Sequence, residues 1–337
     1  MRDVAERAGV SVTSVSHVIN ETRPVSIELR ERVLEAMREL GYHPNRLARS
    51  LRSGKTHTVG IIVPDNANPF FAEIVRGIED TSFEHGYSLI LCNSDADLGK
   101  EEYYIGVLTE KQVDGILFMA AGASTDHIQS LLERHVPVVV VDREVPGVTV
   151  DTVLADNARG GWLATRHLIE IGHRRIGCIS APVNLTLSAE RVDGYRQALQ
   201  EAGIPIDEAL IVPGNFNLGG GYRATQQLLA LGEPPTALFS GNDLMAVGAI
   251  CAACEAGRHV PVDLSVVGFD DIPLALYTNP PLTTIRQPNY NMGVAAATML
   301  LERVRDPELP PRRIMLQIEL QIRRSTSPVV PSPTDEP

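Results

Sequence analysis

Eight short apolar runs, separated by helix-length segments, constrain this chain more than any other feature. TVGIIVP, YSLILCN, GILFMA and PVVVVD lead up to Asp142, and RRIGCIS, ALIVPG, TALFSG and LSVVGFD follow it. Runs of this kind suit strands buried on both faces, and helices between successive strands imply parallel pairing. The expected body is therefore α/β, with two parallel sheets, each flanked by helices. In such sheets the ligand crevice lies at the carboxyl ends of the strands, so the polar residues there are the candidates. Asn68, Phe70 and Phe71 follow the first run, and Asp142 and Arg143 end the fourth. Arg191 opens a helix, Phe216 lies in GNFN, and Asn242 and Asp243 end LFSGND. Asp270 and Asp271 end VVGFDD, and Gln287 follows a segment that crosses between lobes. Each has a plainer reading alone, an Asp as a helix cap or a Phe as core. Together they offer amides, carboxylates, Arg forks and aromatic faces, which suit a sugar.

The first 55 residues have a different character. VAERAGVSVTSVSHVIN reads as two short helices joined by a turn. Val4, Ala5 and Ala8 form one apolar stripe, and Gly9 ends the first helix. Ser11 can cap the second helix, whose apolar positions are Val12, Val15, Val18 and Ile19. Thr13, Ser14, Ser16 and His17 stand between them. Short hydroxyls and an imidazole suit the major groove better than a core, although a helical hairpin with a polar face has the same pattern. A third helix begins at Ser26 and ends at Gly41, with Val33, Leu34, Met37 and Leu40 as its buried stripe. NRLARSLRSGK follows, with Leu47 and Leu51 on one side and Arg46, Arg49, Arg52 and Lys55 as charges. It reads either as a solvated linker helix or as a minor-groove wedge.

Charge supports this division. The chain carries a net charge of -12, yet residues 1–55 hold ten Lys or Arg against seven Asp or Glu. The remainder is at -15. A basic head on an acidic body directs DNA to one end. Cys251 and Cys254 form a C-x-x-C inside AVGAICAACEAG, which reads as a buried helix with no second pair to complete a zinc site. No phosphate-loop, nucleophile-elbow or dinucleotide fingerprint occurs, so an enzyme is not expected. No signal peptide or long apolar run is visible, and a cytoplasmic location is expected, with no membrane contact. An exported sugar receptor would explain the body but not the head.

This run of motifs resembles the LacI/GalR family of transcriptional repressors from Asp3 to about Arg324. VSHVIN and ARSLR resemble the purine- and ribose-repressor branch most. The resemblance implies a helix-turn-helix DNA-binding domain over 1–44, a hinge helix or linker over 45–56, and a two-lobed, periplasmic-binding-protein-like effector and dimerisation domain over 57–325. The Pro- and Ser-rich 326–337 is expected to be a disordered tail. It further implies that Val12, Thr13 and His17 stand at base-reading positions, Val12 through a methyl contact to thymine or with no direct readout, that Ser14 belongs to the DNA-binding set, that Asn20, Tyr42 and Asn45 contact phosphates or backbone, and that Leu51 enters the minor groove beside Arg49 and Arg52. The body is similar to ribose-binding receptors, and Asn68, Phe70, Phe71, Asp142, Arg143, Arg191, Phe216, Asn242, Asp270 and Gln287 fall on the matching ligand positions. Ala120 departs, standing where those receptors carry an amide. Leu185 and Leu187 replace the pair with which the purine branch holds its ligand. The resemblance thus implies a homodimeric repressor on palindromic double-stranded operator DNA, controlled by a small sugar and needing no cofactor. The sugar expected is ribose or another pentose, with a hexose or a purine as alternatives. Phe70–Ile78 and Glu101–Leu108 are candidate dimer faces.

Overall fold

The computed structural model describes residues 1–20, 23–42, 55–119, 125–180 and 186–329, without the side chains of Asn20, Thr186 and Leu187. Asn45, Arg49, Leu51, Arg52, Ala120 and Leu185 lie outside the described residues. Two compact units, Met1–Thr56 and His57–Pro337, are described separately.

In the first unit, helices α1 (Arg2–Ala8), α2 (Val12–Asn20) and α3 (Ile27–Glu39) enclose a small core of Val4, Ala5, Ala8, Val15, Val18, Val33 and Ala36. Gly9 ends α1 at φ 62°, a left-handed turn that a side chain would disfavour. Ser11 caps α2 by accepting from the Ser14 N–H at 3.0 Å, and Ser26 caps α3 through Leu29. The stripe expected on α3 needs correction. Val33 and Ala36 are buried, whereas Leu34 and Leu40 are 40% and 46% exposed. Three short helices have room inside for only one narrow face of each.

The second unit has two lobes. Lobe 1 is a six-stranded, all-parallel sheet of β1 (Thr58–Val63), β2 (Ser88–Asn93), β3 (Gly115–Phe118), β4 (Val138–Val141), β5 (Asp151–Ala155) and β11 (Arg313–Leu316), in the order β11-β5-β4-β3-β1-β2. Helices α4 (Pro69–Glu84), α5 (Leu98–Glu110), α6 (Thr125–Glu133) and α11 (Asn289–Arg305) belong to it. Lobe 2 is a sheet of β6 (Ile176–Ser180), β7 (Ile211–Pro213), β8 (Ala237–Ser240), β9 (Ser265–Asp270), β10 (Thr283–Arg286) and β12 (Glu319–Gln321), in the order β12-β10-β9-β8-β6-β7. Only its edge strand β12 runs antiparallel. Helices α7 (Asn157–Glu170), α8 (Thr186–Glu201), α9 (Leu218–Leu229) and α10 (Asp243–Glu255) flank it. The expected α/β class, with a helical head and a two-lobed body, is the one observed. The chain passes between lobes three times, at Asp156, at 287–288 and at 317–318.

Glycines set the helix packing. A Cβ on Gly77 would stand 2.2 Å from the Tyr290 carbonyl oxygen, and one on Gly293 2.1 Å from that of Ile74. Helices α4 and α11 therefore meet backbone to backbone. Phe70, Ile74 and Ile78 on α4, and Ile105 and Leu108 on α5, are spent in the core of lobe 1. Phe71 and Val75 on the first segment are half-buried, and Tyr103 on the second is 66% exposed. Cys251 and Cys254 also depart from expectation. Both are exposed, because Ala252 and Ala253 between them take the buried side of α10. The tail expected from residue 326 needs correction over 326–329. Thr326 meets His167 at 3.0 Å, Ser327 O meets His173 at 3.2 Å, and the Val329 N–H donates to Ile171 O. Hydroxyl and carbonyl partners for two buried imidazoles hold this stretch on lobe 2.

Candidate functional site

Between the carboxyl ends of the two sheets lies a cavity of about 470 Å³. Nine of the ten expected effector residues line it: Asn68, Phe70, Phe71, Asp142, Arg143, Arg191, Phe216, Asn242 and Asp270. Gln287 does not. Its amide donates to Asp270 Oδ1 at 2.9 Å, so it acts on the cavity through that carboxylate.

Each residue reaches the site by a local device. Asn68 caps α4, accepting from the Phe70 N–H at 3.0 Å, and so turns Phe70 and Phe71 toward the crevice. The two rings pack edge to face at 5.0 Å, with Phe70 buried in the core of lobe 1. Asn242 accepts from the Met245 N–H at 2.9 Å and donates to Phe216 O at 3.1 Å. Its amide is committed at both ends, so it shapes the wall and fixes the Phe216 turn. Asp142, Phe216 and Asp270 have φ of 76°, 54° and 108°. Non-glycine residues rarely adopt such backbone, which concentrates at binding sites.

Arg191 is the centre of the charge arrangement. It donates from Nε to Asn157 Oδ1 at 2.8 Å and from Nη1 to Gly241 O at 2.5 Å, and lies 3.7 Å from Asp270 Oδ1. Its guanidinium stacks 3.8 Å from the centre of the Phe269 ring. Burial raises the Asp142 carboxyl above its usual range, against the opposing pull of Arg191 and Arg143. Burial also lowers the Arg143 guanidinium, against Asp142 and Glu101. Asp270 is pushed up to about 7, first by burial and further by Asp142, while Arg191 and Gln287 oppose the rise. Behind it Asp243 is also raised by burial and by Asp270, and accepts from Thr284 Oγ1 at 2.5 Å and from the Ile272 N–H at 2.9 Å. Asp142 Oδ1 is buried with no hydrogen-bond partner among the described residues. A partnerless carboxylate oxygen in a cavity calls for a ligand donor.

Sequence reasoning passed over Asp65, Asp95, Asn215 and Asn217, which also line the cavity. The strand-end rule could have found the first two, since Asp65 follows β1 and Asp95 follows β2. Asn217 is the cap of α9, with its Oδ1 2.8 Å from the Gly220 N–H.

In the head, Val12 and Thr13 are exposed at the start of α2 and Ser14 and His17 are half-buried. Ser14 Oγ pairs with Ser11 Oγ at 2.9 Å. Tyr42 packs against the small core, with its N–H on Met37 O. No helix among the described residues is long and apolar enough to cross a membrane, and no His, Cys, Asp or Glu cluster there could hold a metal ion.

Known proteins extend these observations. Residues 1–45 match the family of bacterial regulatory proteins of the lacI type, and residues 56–324 match the periplasmic binding proteins and sugar-binding domain of the LacI family. The HTH-type transcriptional repressor PurR of Edwardsiella ictaluri is 44% identical over 329 residues, 97% of this chain and 96% of the relative. A LacI-family regulator from Enterococcus faecium, solved with bound ribose, is 36% identical with a TM-score of 0.75, over 81% of this chain and 100% of that one. The lac repressor dimer bound to operator and the anti-inducer ONPF superposes with a TM-score of 0.87 at 28% identity, over 96% of this chain and 98% of that one. These relatives are transcriptional regulators and not enzymes. The chain belongs to the LacI family of DNA-binding transcriptional repressors, in the branch that includes the purine and ribose repressors.

Proposed function

We propose that this protein acts in the cytoplasm as a homodimer on palindromic operator DNA, and that a small uncharged ring compound in the crevice sets its operator affinity. Pairing two heads supplies the base contacts that one short α2 lacks. Val12, Thr13, Ser14 and His17 of α2 are the base-facing residues, with Asn20 and Tyr42 on the phosphates. Asn45, Arg49, Leu51 and Arg52 complete the DNA contacts in this proposal. The observation that carries effector control is the crevice itself, where Asp142 Oδ1 is buried without a partner among the described residues, beside Arg143 and Arg191.

For the effector, similarity over nearly the full chain to repressors named PurR favours a purine base over the pentose expected from motif positions. Phe71 and Phe216 offer faces to a flat ring, and a carboxyl near neutrality such as Asp270 can donate to or accept from a heterocycle edge. A pentose is the second reading. It is favoured by the 36%-identical regulator solved with ribose, and by Leu185 and Leu187, which offer a purine edge no hydrogen bond.

Selection of duplexes from a random pool, followed by calorimetry with hypoxanthine, guanine, D-ribose and D-glucose, tests both parts. The expected result is a palindromic site and heat from one purine. Heat from ribose alone replaces the effector reading, and retention without sequence preference overturns the operator reading.

A further inference from the structure

Two asparagines stand where the chain has just crossed between lobes. Asn157 is the first residue of α7, after the crossing at Asp156, and Asn289 is the first residue of α11, after the crossing at 287–288. Both are buried, at 3% and 2% exposure. Each touches a charged residue of the crevice. Asn157 Oδ1 accepts from Arg191 Nε at 2.8 Å, and its amide nitrogen donates to Glu190 Oε2 at 3.2 Å and to Ala155 O at 3.4 Å. Asn289 donates across the lobes to Asp270 O at 3.2 Å and, within lobe 1, to Glu73 Oε2 at 3.5 Å, one turn beyond Phe70 on α4. The Asn289 Oδ1 and Gln287 Oε1 atoms of that crossing are buried without a partner among the described residues. A crossing with two buried acceptors unpaired is poised for a second arrangement in which they are satisfied.

We infer that Asn157 and Asn289 are the positioning residues through which crevice occupancy changes the lobe arrangement, and with it operator affinity. Neither lines the cavity. A ligand that pulls on Arg191 or Asp270 moves the first residue of α7 or of α11, and these two helices lie in different lobes. The inference rests on effector control as proposed above. The two residues act through opposite chemistry: Asn157 matters as an acceptor and Asn289 as a donor.

The test uses the full-length protein, the selected operator, and hypoxanthine and D-ribose as probes. Calorimetry reads probe binding, and fluorescence anisotropy reads operator affinity with and without saturating probe. Asn157→Leu and Asn289→Asp should bind probe and bare operator within about tenfold of the parent, while the probe's effect on operator affinity falls to within about twofold of none. Asn157→Asp keeps the acceptor facing Arg191 and should retain the parent's response. If Asn157→Leu fails to fold, Asn157→Ala takes its place. A full response in both deficient variants overturns the inference, as does identical behaviour of Asp and Leu at position 157. If a probe binds the parent and shifts operator affinity while the variants respond fully, this inference alone falls. If neither probe binds the parent, effector control falls and the inference with it.

Discussion

Replacing Asp270 by Asn should stabilise the empty protein, and the gain should grow with pH. In the folded protein this carboxyl is pushed up to about 7 from a normal 3.8. Between those values the folded chain holds a proton that the unfolded chain has released. Stability therefore falls as pH rises through this window and levels off above the folded value. A rise of that size corresponds to a loss on the order of 4 kcal/mol between acid and alkaline solution. Asn resembles the protonated acid in shape and still offers Oδ1 to the Gln287 amide. Between pH 5 and pH 8 the advantage of Asp270→Asn over the parent should then grow by about 3 kcal/mol. Part of the gain comes from Asp243, which loses a repelling neighbour and has the same sign. Burial lowers the pKa of His167 and of His173, which makes the protein less stable in acid, but both chains share this and it cancels in the difference. Urea unfolding, followed by the single tryptophan, Trp162 on α7, reads lobe 2 directly. A stability difference that is the same at both pH values would refute the reasoning, because burial and Asp142 would then not be holding a proton on this site.

Arg191→Met removes the cation between Asp142 and Asp270 and leaves the Asn157 and Gly241 oxygens unpaired. It should destabilise the body by about 3–5 kcal/mol in urea unfolding and weaken effector binding at least tenfold by calorimetry. His17→Ala should weaken the selected operator by about 1–3 kcal/mol and random duplex far less, as read by anisotropy. Equal losses on both would remove His17 from base readout. Gly77→Ala puts a methyl 2.2 Å from the Tyr290 carbonyl oxygen, and either α4 or α11 must shift. The expected loss is about 1–3 kcal/mol, read as a drop in melting temperature of several degrees.

Most of this was legible in the sequence, for a physical reason. A strand buried on both faces must be apolar throughout, so six of the eight runs announce β1, β3, β4, β6, β8 and β9 without any knowledge of their neighbours, while β2 and β7, apolar in sequence, prove to be partly exposed edges. Parallel pairing then fixes which ends of the strands meet ligand, and nine of ten residues chosen by that rule and by resemblance line one cavity. Four strands escaped. DTVLA, TTIR, RIML and ELQ carry polar or charged residues that break a continuous apolar run.

The sequence also determined the turn and caps of the head, since Gly9, Ser11 and Ser26 act on backbone a few residues away. Only tertiary structure decided what lies inside. Whether Leu34 and Leu40 are buried depends on how much of α3 two other helices can cover. Cys251 and Cys254 face outward because Ala252 and Ala253 fill the close approach of α10 to its sheet. The state of Asp270 depends on Asp142, more than a hundred residues earlier in the chain, and on Arg191 between them. Local chemistry can place a carboxyl at a strand end, but its charge is set by burial and by groups that only the folded chain brings together.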